Sequence, residues 1–182
     1  MDEQQAIRCL KEGDIGGLEE LVSRYQVKAV RTAYLITHDP ALAEDVAQEA
    51  FLQAYRSIRH FDQARPFGPW FMRSVVHAAV KAAKRNLRHA APNSQGQTLE
   101  ELFAEDASVE DQVEQDGFHD QVLAALQALP PRQRAVVVQR YFLDMNERDM
   151  AVELDAAPGT VKWLLHAARK RLRSLLSERT AK

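Results

Sequence analysis

The chain has 182 residues, of which 46% are hydrophobic and 27% charged, which is usual for a globular protein and sufficient for one ordinary domain or two small ones. No apolar run approaches the ~20 residues that a membrane span needs, and the single cysteine excludes an internal disulfide and a cysteine-based zinc site. The acidic, amphipathic start is not expected to be a signal peptide, so the sequence predicts a cytoplasmic protein with no membrane insertion of its own.

The net charge of −2 conceals blocks of opposite charge. Asp62 is the only acid among many Lys and Arg in residues 56–88. Residues 89–131 contain no Lys or Arg but many Asp and Glu, and the chain is basic again from residue 132. Two basic blocks around an acidic connector suggest two nucleic-acid-facing units joined by a tether.

The connector begins with small, polar residues that include Pro92 and Gly96, a composition typical of linkers. We therefore predict an N-terminal domain over residues 1–89, a linker over 90–117 with room for a short helix at 99–103, and a C-terminal domain over 118–182. No strand-like alternation of apolar residues is present. The predicted fold is all-α, with two small helical domains joined by a flexible acidic linker.

Apolar periodicity predicts the first three helices over residues 3–12, 15–37 and 40–58. Asp39 is suited to cap the third helix and Pro40 to occupy its first turn. The side of this helix opposite its alanines and aromatic residues carries Asp45, Gln48, Glu49, Leu52 and Arg56. This face is either plain solvated surface or, because an apolar leucine lies among polar residues, a docking face.

A fourth helix is predicted over residues 70–88, with a wide apolar side formed by Phe71, Met72, Val75, Val76, Ala79, Val80, Ala82, Ala83 and Leu87. The remaining side carries Trp70, Arg73, Ser74, His77, Lys81, Lys84, Arg85 and Arg88. Cationic side chains neutralise phosphates, and an aromatic ring can stack on an unpaired base. The alternative is a solvated charged face with Trp70 turned into the core.

The C-terminal domain is predicted to contain helices over residues 118–129, 132–142 and 147–154, with Asn146 as a cap of the third. Residues 155–159 form a tight turn, and Gly159 or Thr160 opens a last helix. The buried side of that helix comprises Val161, Leu165, Ala168, Leu172 and Leu176, and the opposite side Lys162, Trp163, His166, Arg169, Lys170 and Arg173. A short helix, a tight turn and a basic second helix favour a helix-turn-helix DNA reader over a basic bundle helix.

Five sequence strings occur in an order that identifies a family. They are GDIGGLEELVSRY at 13–25, AEDVAQEAFLQAYRSI at 43–58, FDQARPFGPWFMRSV at 61–75, LPPRQRAVVVQRYF at 129–142 and GTVKWLLHAARKRLR at 159–173. Over almost its whole length the chain resembles the extracytoplasmic-function (ECF) class of bacterial RNA polymerase sigma factors of the sigma-70 family.

The resemblance implies a role for each block. The third helix would bind the clamp helices of core polymerase through Asp45, Gln48, Glu49, Leu52 and Arg56. The −10 strand would be melted and held by Phe61, Phe67, Trp70, Arg73, His77, Lys81, Lys84, Arg85 and Arg88. The −35 duplex would be contacted by Arg148, Thr160, Lys162, Trp163, His166, Arg169, Lys170 and Arg173. The acidic linker would run toward the RNA exit path, and an anti-sigma protein is an expected partner.

Several positions depart from the family's common residues. His77 and Lys81 lie where Asn and Asp are frequent, which makes the strand-binding helix more cationic. Trp163 and Leu164 lie on the expected reading face, where small or basic residues are common. Asp155 replaces a usual glycine in the turn, and aspartate tolerates a left-handed backbone better than most residues.

The resemblance implies a transcription initiation factor that is not an enzyme, because the polymerase performs the chemistry. We expect no cofactor: the chain has no Gly-rich phosphate loop and no metal-ligand spacing among His38, His60, His77, His89, His119 and His166. Two alternatives remain open from the residues. One is a stand-alone helix-turn-helix regulator, and the other is a sigma-fold interaction protein without promoter activity.

Overall fold

The computed structural model describes the backbone of residues 1–89 and 112–180, and the side chains of 1–87 and 120–177. Over these ranges the regular structure is helical and no strand is present, which confirms the all-α prediction. The chain separates into two compact units, Met1–Ala82 and Ala83–Lys182. Most of the predicted linker, including its short helix at 99–103, lies outside the described residues, so the domain boundaries at 89 and 118 stay predictions.

The N-terminal unit contains helices α1 (Glu3–Glu12), α2 (Gly16–Thr37) and α3 (Pro40–Ser57), a 3₁₀ turn (Ile58–His60) and most of α4 (Phe67–His89), which continues past the unit boundary at Ala82. These bounds agree with the predicted ones within a residue, except that α4 begins three residues earlier than predicted. Pro69 lies inside the first turn of α4. Backbone N–H groups there have no acceptor within the helix, so the lack of an N–H in proline costs no helical hydrogen bond.

Side-chain and backbone caps set the ends of the first and third helices. Asp2 accepts a hydrogen bond from the backbone N–H of Gln5 (2.7 Å), and Gly13 ends α1 with a left-handed φ of +96°. Asp39 accepts from the N–H of Leu42 (3.0 Å), with Pro40 following it in the first turn. The cap predicted for α3 is therefore confirmed.

Helices α1 and α2 cross at Gly17. A Cβ atom placed on this glycine would lie 2.2 Å from the carbonyl oxygen of Ala6. Around this crossing the core is almost entirely apolar, and its largest fully buried side chains are Ile7, Leu21, Ile36, Ile58, Phe67 and Phe71. Close approach of two helices without a side chain between them therefore depends on glycine at this one position.

The C-terminal unit contains α5 (Gln112–Gln127), α6 (Pro131–Tyr141), α7 (Glu147–Glu153) and α8 (Pro158–Thr180). Buried Arg134 of α6 donates hydrogen bonds to the carbonyl oxygens of Leu126 (3.0 Å), Gln127 (2.9 Å) and Leu129 (3.0 Å). These carbonyls lie at the end of α5 and in the turn that follows it, where the regular helical pattern of backbone donors stops. Burial lowers the pKa of Arg134 to about 10, so the side chain is still charged at neutral pH.

The predicted helix-turn-helix is formed by α7 and α8. Asn146 accepts from the N–H of Asp149 (2.9 Å) and caps α7, while the side-chain amide of buried Gln139 donates to Glu153 (3.0 Å) and joins α6 to α7. Asp155 has a left-handed φ of +46°, the conformation expected of a residue that replaces glycine there. The last helix begins at Pro158, one residue before the earlier of the two predicted starts.

None of the helices in the described residues has both the length and the apolar composition to cross a membrane.

Candidate nucleic-acid and protein interfaces

The five residues predicted to bind polymerase lie on one exposed face of α3. Asp45, Gln48, Glu49, Leu52 and Arg56 are all exposed, whereas the alanines and Phe51 on the opposite face are buried. Leu52 is 41% exposed among these polar neighbours. An ion pair joins Arg56 to Glu49 at 3.9 Å, but both side chains are well solvated and the pair contributes little to stability. The face is thus available to a partner.

Five aromatic side chains meet at the N-terminal end of α4 and are called here the aromatic cluster: Tyr25, Phe61, Phe67, Trp70 and Phe71. The ring of Trp70 lies 4.7 Å from that of Phe61 and 5.4 Å from that of Phe67, between ring centroids. Phe67 and Phe71 stack at 5.7 Å. Trp70 is half-buried, so one part of its ring is packed on the cluster and the other faces solvent.

The structure corrects the predicted role of two members of this cluster. Phe61 is 4% exposed and Phe67 is 0% exposed, so neither ring has surface for a base to contact. Both rings instead pack against the ring of Trp70. The predicted helix begins at residue 70, so Phe61 and Phe67 are expected in a loop, where helical periodicity does not indicate which side chains are buried.

A basic stripe runs along α4 from Trp70. Arg73, His77, Lys81 and Arg85 are exposed at intervals of one helical turn, and Lys84 is half-buried beside them. The side chain of Arg88 lies outside the described residues. Leu87, predicted on the apolar side, is 65% exposed because it lies near the end of the helix, beyond the main core. The stripe and the half-buried ring of Trp70 therefore share one surface.

The loop between the 3₁₀ turn and α4 is held by contacts that the sequence pattern did not indicate. Asp62 accepts hydrogen bonds from Ala64 through its carboxylate and from Arg65 through its carbonyl, both at 3.0 Å. Lys11 of α1 donates from Nζ to the carbonyl oxygen of Phe61 (2.7 Å), and the hydroxyl of Tyr25 donates to Glu3 (2.5 Å). Burial, and secondly the hydrogen bond to Glu3, raise the pKa of Tyr25 well above its ordinary value, so it remains a donor.

The second helix of the helix-turn-helix exposes nearly all the side chains predicted to contact duplex DNA. Thr160, Lys162, Trp163, His166, Arg169, Lys170 and Arg173 are exposed on α8, and Arg148 is exposed on α7. Trp163 is 64% exposed. Leu164 was expected on the reading face but is 7% exposed. It lies three residues after buried Val161 and four before buried Ala168, so the helical period places it in the core.

One exposed cation on α8 has a partner on α6 that the sequence did not suggest. Nε of Arg169 donates to the hydroxyl of Tyr141 (2.9 Å), and its guanidinium carbon lies 5.9 Å from the centre of the same ring. The two residues are 28 positions apart. The pair holds the guanidinium group at the edge of the basic face of α8.

Within the described residues, no group of three or more His, Cys, Asp and Glu side chains is arranged to hold a metal ion.

Comparison with known proteins assigns each unit to one part of a family. The family Sigma-70 region 2 matches residues 21–89, and the family Sigma-70, region 4 matches residues 119–172. The chain is 31% identical to the RNA polymerase sigma-H factor of Pseudomonas aeruginosa over 190 residues, covering 97% of this chain and 96% of the relative. It is 32% identical to the ECF RNA polymerase sigma factor SigM of Mycobacterium tuberculosis over 165 residues, covering 90% and 79%.

A solved structure shows the same fold. The sigma factor RpoE in complex with the anti-sigma factor NepR, from Bartonella quintana, matches with a TM-score of 0.66 at 19% identity, covering 87% of this chain and 96% of that chain.

Proposed function

The chain belongs to the ECF class of the sigma-70 family of RNA polymerase sigma factors, and from that premise we propose which of its surfaces contact polymerase and promoter DNA. A sigma factor of this class is not an enzyme: it directs core polymerase to promoters, and the polymerase performs the chemistry. The observation that carries the assignment of surfaces is the exposure of seven predicted side chains on the second helix of a helix-turn-helix, Thr160, Lys162, Trp163, His166, Arg169, Lys170 and Arg173.

The C-terminal unit binds the −35 duplex through α8. In a helix-turn-helix the early residues of the second helix enter the major groove and the flanking residues contact the backbone. Lys162, Trp163 and His166 occupy the early turns and face the bases, whereas Arg169 and Arg173 lie further along and contact phosphates. Arg148 contacts the backbone from the first helix of the motif.

Helix α4 captures the −10 strand through Trp70 and its basic stripe. The exposed part of Trp70 stacks on an unpaired base, an interaction that contributes about 1–3 kcal/mol. Arg73, His77, Lys81 and Arg85 follow the backbone of the same strand. Phe61 and Phe67 act indirectly, because their packing fixes the plane of the Trp70 ring.

The exposed face of α3 is the docking surface for core polymerase. We expect the double variant Gln48→Ala, Leu52→Ala to weaken core association about tenfold or more, since it removes a solvent-facing apolar contact and a polar partner from the centre of the face. The measurement is a titration of labelled sigma factor with purified core polymerase. Far-UV circular dichroism verifies that the helices persist.

A matched control for the docking face lies on α2. Gln26 and Val27 are exposed there, so Gln26→Ala, Val27→Ala removes the same kinds of side chain from another surface. Its core affinity should equal that of the wild type. Equal losses in the two double variants would contradict the assignment of the docking surface to α3.

The chain acts in the cytoplasm, where polymerase is found, and it has a protein partner that holds it inactive. Support for the partner comes from the RpoE structure, which was solved with an anti-sigma factor. Because that likeness is one of fold, it supports the class of partner and leaves its sequence open.

Run-off transcription with core polymerase from the same organism tests the proposal, using a pool of genomic fragments as templates. The expected result is promoter-dependent transcripts that require the chain. Core binding without any such transcript would instead indicate a sigma-fold interaction protein. Duplex binding without affinity for core would indicate a stand-alone helix-turn-helix regulator.

A further inference from the structure

We propose that α1 braces the strand-capture site, with Lys11 and the Glu3–Tyr25 pair as positioning residues that hold the aromatic cluster in the shape needed to bind an unpaired strand. This inference rests on the proposed function of Trp70. Lys11 and Glu3 precede residues 21–89, the part of the chain matched by Sigma-70 region 2, so the family match assigns neither residue a role.

The first contact of the brace fixes the start of the loop. Lys11 Nζ donates to the carbonyl oxygen of Phe61 at 2.7 Å, across 50 positions of sequence. The N–H of Phe61 donates to the carbonyl of Ile58 (3.0 Å), so this residue is held at the point where the 3₁₀ turn becomes the loop. A charge-assisted bond in a partly buried place orients this backbone, and with it the Phe61 ring that lies against Trp70.

The second contact fixes the end of the loop. The hydroxyl of Tyr25 donates to Glu3 of α1, while its ring lies 5.4 Å from Phe67 and 5.8 Å from Phe71. A Cβ atom placed on Gly68 would lie 3.0 Å from the Tyr25 hydroxyl oxygen, which shows how closely the tyrosine approaches the first turn of α4. Glu3 therefore positions a ring on which the beginning of the strand-binding helix packs.

Between these two contacts the loop has its own hydrogen bonds, because Asp62 accepts from the backbone N–H groups of Ala64 and Arg65. The start of this short, internally bonded loop is thus bonded directly to α1, and its end packs on Tyr25 of α2, which is itself bonded to α1. A loop held in this way loses little conformational entropy when a strand binds, and preorganisation of this kind raises affinity without a new contact. Release of α1 should accordingly weaken strand binding although no residue of α1 is assigned a DNA contact.

The experiment uses the two tryptophans of the chain to isolate the site. In a Trp163→Phe background Trp70 is the only tryptophan, so emission and acrylamide quenching of the free protein report its packing. Strand binding is then measured by anisotropy on the assembled holoenzyme. The probe is a labelled single-stranded oligodeoxynucleotide selected from a randomised pool on the wild-type holoenzyme.

Lys11→Met keeps an unbranched side chain, one atom shorter than lysine, and removes the ammonium donor. We expect the emission of Trp70 to shift to the red, quenching to increase, and affinity for the single-stranded probe to fall about tenfold while core affinity is unchanged. Lys11→Arg, which restores a cationic donor, should recover most of the loss. Arg8→Met is the matched control, because Arg8 is exposed on the same helix, and it should behave as the background protein.

Tyr25→Phe provides a second variant if Lys11→Met folds poorly. It keeps the ring in the cluster and removes only the hydroxyl bond to Glu3, so a smaller loss of about threefold is expected. Normal strand affinity and unchanged Trp70 emission in both variants would overturn the brace, as would lowered thermal stability without a change in either readout. Failure of the wild-type holoenzyme to bind any selected strand would instead overturn the proposed function, and the brace with it.

Discussion

The two units place a tryptophan at each proposed DNA surface, but they support it differently. Trp70 is half-buried on Phe61 and Phe67, in a unit whose core is almost wholly apolar. Trp163 is 64% exposed on a basic face. Its unit buries the polar side chains of Arg134, Gln139 and Glu153.

The difference follows from what each surface is proposed to bind. An extruded base needs a rigid platform at a fixed angle, which packed rings provide. A major groove already has a defined shape, so a reader helix needs side chains that project from it. The end of every helix leaves carbonyls to be satisfied, and in the C-terminal unit buried Arg134 donates to those at the end of α5.

The contrast predicts that the C-terminal unit depends on one buried cation. Arg134→Met should destabilise that unit by about 4 kcal/mol, because it removes three buried hydrogen bonds to backbone carbonyls. Hydrogen exchange should increase along α6, α7 and α8 but not along α1, α2 and α3. Arg132→Met removes an exposed arginine from the same helix and should change stability by less than about 0.5 kcal/mol. Equal loss of protection in both units would contradict the contrast.

The stability of the N-terminal unit should instead depend on the volume of the side chain where α1 and α2 cross. Gly17→Ala places a methyl group against the backbone of α1 and should destabilise the unit by about 3 kcal/mol. The measurement is urea unfolding combined with hydrogen exchange of α1. Gly16→Ala is the control, since its Cβ would meet only the side chain of Asp14, at 3.2 Å. Similar urea midpoints for the two variants would mean that α1 and α2 can move apart to accommodate the added methyl group.

The exposed Trp163 should contribute to duplex binding by an apolar contact. Trp163→Ala is expected to lower holoenzyme affinity for a selected −35 duplex about fivefold. Replacing the thymines of that duplex with deoxyuridine removes their methyl groups. If the ring contacts a methyl group, the replacement weakens the wild type but not the variant. Equal sensitivity of both proteins would rule out the methyl contact.

The smallest expected effect concerns the Tyr141–Arg169 pair. Arg169→Ala should lower duplex affinity and reduce the slope of log K against log salt by about 0.9, as loss of one phosphate contact requires. Tyr141→Phe keeps the ring and removes the hydroxyl, so affinity should fall about twofold with an unchanged slope. The double variant should resemble Arg169→Ala alone. Additive losses would show that Tyr141 acts independently of Arg169.

Local sequence determined most of the helices and their exposed faces. The spacing of apolar residues placed the polar face of α3 and the basic face of α8 correctly, because a helical period of 3.6 residues fixes which side chains share a side. Caps such as Asp39 and Asn146 marked helix starts, since each makes its bond within three residues.

Tertiary structure alone decided which of these residues are free to bind. Phe61 and Phe67 are buried because their rings pack on each other and because Phe67 also packs on Tyr25 of α2. The contacts of Lys11 with Phe61 and of Arg169 with Tyr141 span 50 and 28 positions. Contacts at such separations depend on the crossing angle between packed helices. The pattern of residues within any one helix does not specify that crossing angle.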